Sequence, residues 1–494
     1  MKNYSKNILV SLVCILISVA SGAQVLKGSY FLDSSVNRHK MNPAFAPRAN
    51  YFQLPLVGNV GAGIYTNLNA STFWYPLENG KLGSFLHPSV SVKEFDRNLP
   101  NRMCIDAEVS TTLLSFGWFT RNKAFWNFTL DMNGEQAFDF PTGIFMFLKK
   151  GTGAGKSGYD LASANGYTSA AVRASLGYSR EIIDGLRAGI KVRAVFPAGY
   201  IGGIWDDMTL TASEESWRVD VDGKFYDATP GLVIRADSPI TYDPAYMIEY
   251  MVENKRTVGV GYSVDLGAEY VLNVGCPVDG LTFSAAVTDL GSVFYKDDGL
   301  RAYAMSGSME WKGINAGWED MDALWDEFLE ELKEMGKFSE LDLDGKLVRS
   351  TMPRFYAGVE MPFLSRKMSV GLLYSSRLIH KRSRHELTAS FNLKPAKWFA
   401  LGLNYSFLNT RKTMGAILEL TPKVGPAFYI GCDYFPMELY ENMLLEEWLG
   451  ETPDILKSYG FSSWPCPTTL NFNLNFGLAF NLGSKYANPK KNKQ

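Results

Sequence analysis

From Leu470 to Leu482 the chain alternates without a break. Leu470, Phe472, Leu474, Phe476, Leu478, Phe480 and Leu482 fall on one face, and Asn471, Asn473, Asn475, Gly477, Ala479 and Asn481 on the other. Successive side chains of a β-strand point to opposite faces, so the segment reads as a ribbon with one apolar and one polar or small side. At about 3.3 Å per residue it extends roughly 43 Å, enough to cross a bilayer at a tilt and continue beyond it. The same period recurs upstream. Val172, Ala174, Leu176 and Tyr178 oppose Arg173, Ser175, Gly177 and Ser179; Ile190, Val192, Ala194 and Phe196 oppose Lys191 and Arg193; Trp126, Phe128, Leu130 and Met132 oppose Asn127, Thr129, Asp131 and Asn133. Towards the C-terminus, Met368–Tyr374, Leu387–Leu393 and Phe399–Phe407 follow in close succession. Turns are expected at Asn392–Pro395 and Asn409–Lys412, which carry Asn, Pro and charge.

Long strands joined by short turns pair antiparallel, and so long a sheet must close to remove its edges. Arg173, Lys191, Arg193, Glu360, Glu386 and Glu419 lie on the faces opposite the apolar ones. They are expected to line a lumen, because a charge at the lipid midplane costs about 2–4 kcal/mol. The pattern predicts an all-β transmembrane antiparallel barrel of about fourteen strands, with a range of twelve to eighteen, over residues 51–483. Aromatic residues make up 14% of the chain, which suits strands that show half their side chains to lipid. A soluble β-sandwich shares that composition, so strand length and number decide between them.

Residues 1–23 have the form of a secretory leader: Lys2 and Lys6, an apolar run from Ile8 to Val19, then Ala20-Ser21-Gly22-Ala23. The apolar run is too short to span a bilayer as a helix, and nothing downstream approaches the roughly eighteen apolar residues such a span needs. The reading is therefore export to the outer membrane of a Gram-negative bacterium. Losing the leader lowers the 49 Lys and Arg to 47 against 51 Asp and Glu, a net charge of −4 that argues against nucleic-acid binding.

Several stretches break the alternation. Residues 24–50 are polar and contain Met41-Asn42-Pro43-Ala44-Phe45-Ala46-Pro47. The two prolines exclude a regular strand or helix there, and the segment reads as an ordered arm tucked into the barrel mouth, or else a flexible leader. Asn42, Pro43, Ala44, Phe45 and Pro47 are its candidate plug residues. Apolar residues at three- and four-residue spacing predict two short amphipathic helices, 320–335 and 437–449, each with an acidic outer face suited to rim packing or to a protein partner. Residues 200–250 suggest a hairpin projecting beyond the membrane, and 484–494 form a polar tail.

Chemical motifs are weak. Lys150–Ser157 resembles a phosphate-binding loop but has Lys150 where that loop needs glycine, so a Gly-rich connection explains it. His380 and His385 flank Lys381-Arg382-Ser383-Arg384, read as a basic turn without metal-ligand spacing. Neither a serine-hydrolase elbow nor a zinc-protease pair occurs. No metal, cofactor or catalytic residue is assigned, and the chain is not read as an enzyme. Cys104, Cys276, Cys432 and Cys466 permit several pairings, Cys432 with Cys466 among them, or buried thiols.

The leader, the Asn42-Pro43-Ala44 element before the first strand and the barrel reaching Leu482 together resemble a Bacteroidota outer-membrane family known as domain of unknown function 5723. The element is also similar to that of FadL-like barrels, including the shuttle barrel of the type IX secretion system. That resemblance implies fourteen strands and a plugged lumen passing hydrophobic molecules. Three functions are compatible with it: an uptake channel for a hydrophobic or small solute; a non-transporting surface or secretion-machinery subunit that docks proteins; and a lipid-directed enzyme. A densely filled lumen favours the second, an apolar tunnel with a lateral opening the first, and a Ser–His pair at the rim is required for the third.

Overall fold

The computed structural model describes residues 26–484 except 56, 78–81, 152–156, 162–163, 214–215, 236–237, 243–249, 251–256, 274–279, 297–299, 312–338, 342–346, 380–381, 409–410, 436–438, 441–465 and 468–470. The leader, the acidic segment 320–335, the core of the phosphate-loop-like motif and nearly all of the tail lie outside the described residues.

Fourteen staves close into one antiparallel barrel. They are β1 (Asn50–Gln53, resuming as Val60–Thr66), β2 (Met103–Phe119), β3 (Phe125–Phe140), β4 (Gly166–Ile183), β5 (Leu186–Ala212), β6 (Gly259–Val271) and β7 (Thr282–Tyr295). The second half comprises β8 (Arg354–Phe363), β9 (Met368–Ile379), β10 (Arg382–Ala396), β11 (Phe399–Leu408), β12 (Arg411–Leu420), β13 (Val424–Phe435) and β14 (Phe472–Gly483). Each pairs with the next, and both pieces of β1 lie between β14 and β2, which seals the ring. Across the break in β1, Leu478 N donates to Val57 O (2.9 Å) and Thr112 N to Asn59 O (2.9 Å), so the wall stays hydrogen-bonded.

One end of the barrel carries tight turns, such as Asp184-Gly185 and Leu364–Lys367, while the other carries long connections such as 67–102, 213–258 and 296–353. On the loop side β5 outruns the ring and pairs with Trp217–Asp227, which pairs in turn with Arg301–Trp311. The projecting hairpin is therefore present. Two helices, α1 (Val92–Asn98) and α2 (Gly143–Lys150), cover a small apolar core of Tyr75, Phe85, Val90 and Phe95 at this end.

The alternation follows the membrane solution. In β14 every second residue from Phe472 is exposed and Asn473, Asn475 and Asn481 are buried. Leu176, Val192, Leu372 and Leu403 are likewise exposed on the outer face. Trp118, Trp126 and Tyr178 form a row near the turn end, centroids 6.5 and 4.7 Å apart, as in an interfacial aromatic belt. Among the described residues no helix is long and apolar enough to cross a membrane.

Local expectations are corrected at three places. Asn392–Pro395 is strand rather than turn: β10 runs to Ala396 with its register broken between Leu393 and Ala396, where Pro395 has no N–H to give the ladder. Arg411 and Lys412 already belong to β12, and Arg382 opens β10, so the basic run is mostly strand. Leu439–Tyr440 pairs in extended form with Cys466–Pro467 where a helix was expected, because the chains leaving β13 and entering β14 run side by side; the rest of 437–449 lies outside the described residues. Cys104 and Cys432 are buried free thiols, one of the alternatives the sequence left open.

Candidate functional site

Residues 26–49 run inside the ring as an irregular arm with two 3-10 turns, Lys27–Ser29 and Arg38–Lys40. Prolines and short polar residues favour turns over a ladder here, so the arm's polar groups find partners on the wall. Lys27 N and Gly28 N both donate to the Asp433 carboxylate of β13, at 2.8 and 2.9 Å. The Lys27 ammonium pairs with Glu386 of β10 and donates to Tyr434 Oη (2.9 Å). Ser34 donates to Glu419 of β12 (2.6 Å), Lys40 pairs with Asp131 of β3 (2.8 Å), and Lys394 of β10 reaches both Phe31 O (2.9 Å) and Glu360 Oε1 (3.3 Å). Near the turn end Arg48 bonds Asp33 (2.7 Å) and Lys397 O (3.0 Å).

His39 sits between Tyr51 and Lys191. Its Nδ1 lies 2.7 Å from Lys191 Nζ, which also donates to His39 O, and its Nε2 lies 2.7 Å from Tyr51 Oη. Burial, with the Lys191 and Lys40 ammonium groups beside it, holds the imidazole well below its ordinary pKa. Neutral His39 then accepts at Nδ1 and carries its proton on Nε2.

The Asn42-Pro43-Ala44 element rests on two glycines that face each other across β5 and β6, Gly189 and Gly267. A Cβ on Gly189 would overlap the Pro43 carbonyl, and one on Gly267 the Asn42 side-chain oxygen. Asn42 Oδ1 accepts from Ala44 N (2.9 Å), and its amide donates to Ala268 O (3.1 Å). Phe45, with its ring under the Arg38 guanidinium (4.0 Å), packs edge-on against Tyr30. Pro47 is buried.

Beyond the arm, on the loop side, a layer of ion pairs crosses the lumen. Arg377 (β9) bridges Glu108 (β2) and Glu135 (β3, 2.8 Å), and Arg354 (β8) meets Glu108 (2.9 Å). Arg382 (β10) joins Asp106 to Asp139 (2.7 Å), and Arg384 also reaches Asp106 (3.3 Å). Arg173 binds Glu135 (2.7 Å), while Arg193 binds Asp265 and Asp289 (2.6 Å). With Arg102, which also reaches Asp139 (3.4 Å), seven arginines face six carboxylates, and the layer is nearly balanced in charge.

Stave β9 stands seven places from β2 in either direction, as β10 does from β3. Fourteen strands about 4.8 Å apart and tilted by about 40° would make a round barrel roughly 28 Å across. An arginine and a glutamate meeting end to end span only about 15 Å between Cα atoms. The opposite walls are therefore drawn together at this level and bridged by these side chains.

Two further features lie near the loop end. A cavity of about 360 Å³ opens beside Tyr200, Tyr226, Arg349 and Met352. On the outer face of β10, Ser383 Oγ is 2.7 Å from His385 Nε2, and Tyr374 Oη is 2.8 Å from Nδ1. This supplies the Ser–His contact that the enzyme reading requires, but a phenol stands where a charged or amide partner would orient and stabilise an imidazolium. Among the described residues no three His, Cys, Asp or Glu side chains are grouped to hold a metal.

The six charges singled out in the sequence fall into three different settings. Lys191, Glu386 and Glu419 contact the arm directly, Glu360 does so through Lys394, and Arg173 and Arg193 belong to the ion-paired layer. The other members of that layer were not singled out. Asp106 and Glu108 were legible as polar positions two apart in Met103–Phe119, and Arg382 and Arg384 share the period of Glu386 but lay inside a run read as a turn.

A closed antiparallel ring with an apolar outer band, a polar interior and one end of tight turns is the fold of an outer-membrane β-barrel. The chain belongs to the family of unknown function DUF5723, whose model matches residues 43–433. No curated protein matches it. Among solved structures it is similar to the deltaS2S3 mutant of the TodX monoaromatic hydrocarbon channel, at 11% identity over 95% of this chain and 98% of that one, with a TM-score of 0.39. The Pseudomonas putida toluene transporter TodX gives 9% identity, 94% and 96% coverage and a TM-score of 0.36. BauA, the ferric preacinetobactin receptor of Acinetobacter baumannii, gives 10%, 77% and 54%, and 0.26.

Proposed function

We propose that the protein resides in an outer membrane and takes up a small solute through a barrel held shut at rest by its N-terminal arm. Under this reading residues 24–50 are the plug, 51–483 the wall and 484–494 a tail. The observation that supports it is the seat of the arm. Residues 26–49 touch staves all round the ring through ion pairs and hydrogen bonds rather than through an apolar interface alone. Such an interface can exchange its partners for water when it opens, which a continuous hydrophobic core cannot do without large loss. The nearly balanced charge layer favours an amphiphilic solute over a purely apolar one, since an apolar molecule would separate buried ion pairs without replacing their contacts.

The same layer favours a second reading, a non-transporting barrel whose loops and acidic segment 320–335 dock a protein. Planar-bilayer conductance and liposome dye release, comparing the full chain with a variant lacking residues 26–47, separate the two. Uptake requires the deletion to open discrete conductance steps. If neither form conducts, even with Arg377→Gln added, the docking reading replaces it.

A further inference from the structure

The two ends of the barrel carry opposite charge. At the turn end, Arg121 lies between β2 and β3, Arg180 near the end of β4, Arg366 and Lys367 between β8 and β9, Lys397 between β10 and β11, and Lys423 between β12 and β13. All six side chains are exposed, and none is ion-paired among the described residues. The acids described in these turns, Glu181 and Asp184, belong to one of them, where Glu181 Oε1 accepts from Gly185 N (3.3 Å). Strand β14 ends on the same side at Gly483, and the sequence after it, 484–494, carries Lys485, Lys490, Lys491 and Lys493 with no acid. At the loop end the balance is reversed: residues 296–353 hold fourteen acidic residues against seven basic ones. A ring of unpaired cations is a surface for an anionic partner.

The apolar side chains beside these cations identify its chemistry. Trp398 follows Lys397, Val424 follows Lys423, and Leu364 stands two places before Arg366; each is more than half exposed. A large apolar group next to a cation suits the boundary between hydrocarbon and lipid headgroups, where each finds its own medium.

The register of β4 sets the depth. Trp118, Trp126 and Tyr178 lie level with one another across β2, β3 and β4, in the row that forms the aromatic belt. Arg180 follows Tyr178 by two residues on the same outer face, about 7 Å nearer the turn end. The headgroup layer on each side of a bilayer is of that thickness, roughly 5–7 Å, so the guanidinium stands among the lipid phosphates. There it gains charge-assisted hydrogen bonds and escapes the cost of a charge at mid-depth.

We propose that the turn end binds anionic glycerophospholipid, with acyl chains against the aromatic row and phosphates on the ring of cations, Arg180 among them. Phosphatidylglycerol fits this surface better than phosphatidylcholine, whose trimethylammonium group would stand against like charge. The proposal requires that the barrel lie in a membrane and is independent of whether it conducts.

The test is tryptophan quenching of the full chain, reconstituted in vesicles of one fixed mixture of phosphatidylcholine and phosphatidylglycerol. The acyl chains of either lipid are brominated in turn, in equal amount, so that only the label moves. Trp118, Trp126 and Trp398 place reporters at this end. Brominated phosphatidylglycerol should quench more strongly, by about a threefold ratio of association constants or more, and the preference should shrink in high salt. Replacing all six cations by Gln, with folding checked by gel mobility, should bring the ratio close to one. Equal quenching by the two labels in the unaltered protein overturns the proposal without reference to any variant, and so does a preference that survives the six replacements. Equal quenching together with retention of polyglutamate by the unaltered chain would replace lipid with an acidic protein as the partner.

Discussion

At the scale of single residues the arm is held by charges that are worth little apart. Lys27 and Glu386 are both buried, so removing one leaves the other without its opposite charge, although Tyr434 still bonds to it. Lys27→Met is expected to destabilise the folded barrel by about 3–5 kcal/mol, and Lys27→Met with Glu386→Gln to recover most of that loss. Urea unfolding in liposomes measures both, with Glu386→Gln alone as the third variant; a double-variant loss equal to the sum of the two single losses would show that the pair is not coupled. His39 makes a pH-dependent contribution. Because its pKa in place is depressed, the unseated arm binds a proton more readily than the seated one. The seat is therefore at full strength above about pH 6.5 and weakens as the pH falls below it. Protease cleavage of the arm at pH 7.5 and 5 should show increasing exposure on acidification, and His39→Gln should remove the difference.

At the scale of elements, the alternation of β14 settles which face meets lipid. Phe476→Arg places a charge on the apolar band and is expected to cost about 2–4 kcal/mol if it lies near the midplane, measured by refolding into vesicles. The glycine platform of β5 and β6 makes a different prediction. Gly189→Val should leave the barrel folded by gel mobility while expelling Asn42-Pro43-Ala44, so that the arm becomes protease-sensitive; an arm still protected would show that the platform is not its seat. The strands were readable because a membrane wall imposes a strict period of two, as Val172–Ser179 and Leu470–Leu482 illustrate. Their ends were not. Pro395 looks like a turn but sits at a register break inside β10, and the Arg382–Arg384 charge run looks like a loop although its period matches the lumen face. Helix α1 was missed although Ser91 accepts from Glu94 N (3.1 Å), the capping spacing that marks a helix start. The ion-paired layer lay beyond sequence reading, because partners such as Arg377 and Glu108 are joined across the lumen rather than along neighbouring strands.

For the molecule as a whole, the lumen under the proposed uptake reading holds two separate obstacles, the seated arm and the ion-paired layer on its loop side. Removing the arm alone, or Arg377 alone by Arg377→Gln, should give small or brief conductance, and both together a larger and steadier one; single-channel recording distinguishes additive from cooperative effects. The position of the arm in the chain has a further consequence. The arm runs directly into β1, and β1 is the stave that β14 must reach to complete the ring. Sealing the wall and enclosing the arm therefore belong to one event in biogenesis, with the last-made strand locking in the first-made segment. A chain whose arm has lost its seat should linger as an unsealed sheet and mature slowly in the cell, even where its finished barrel is stable.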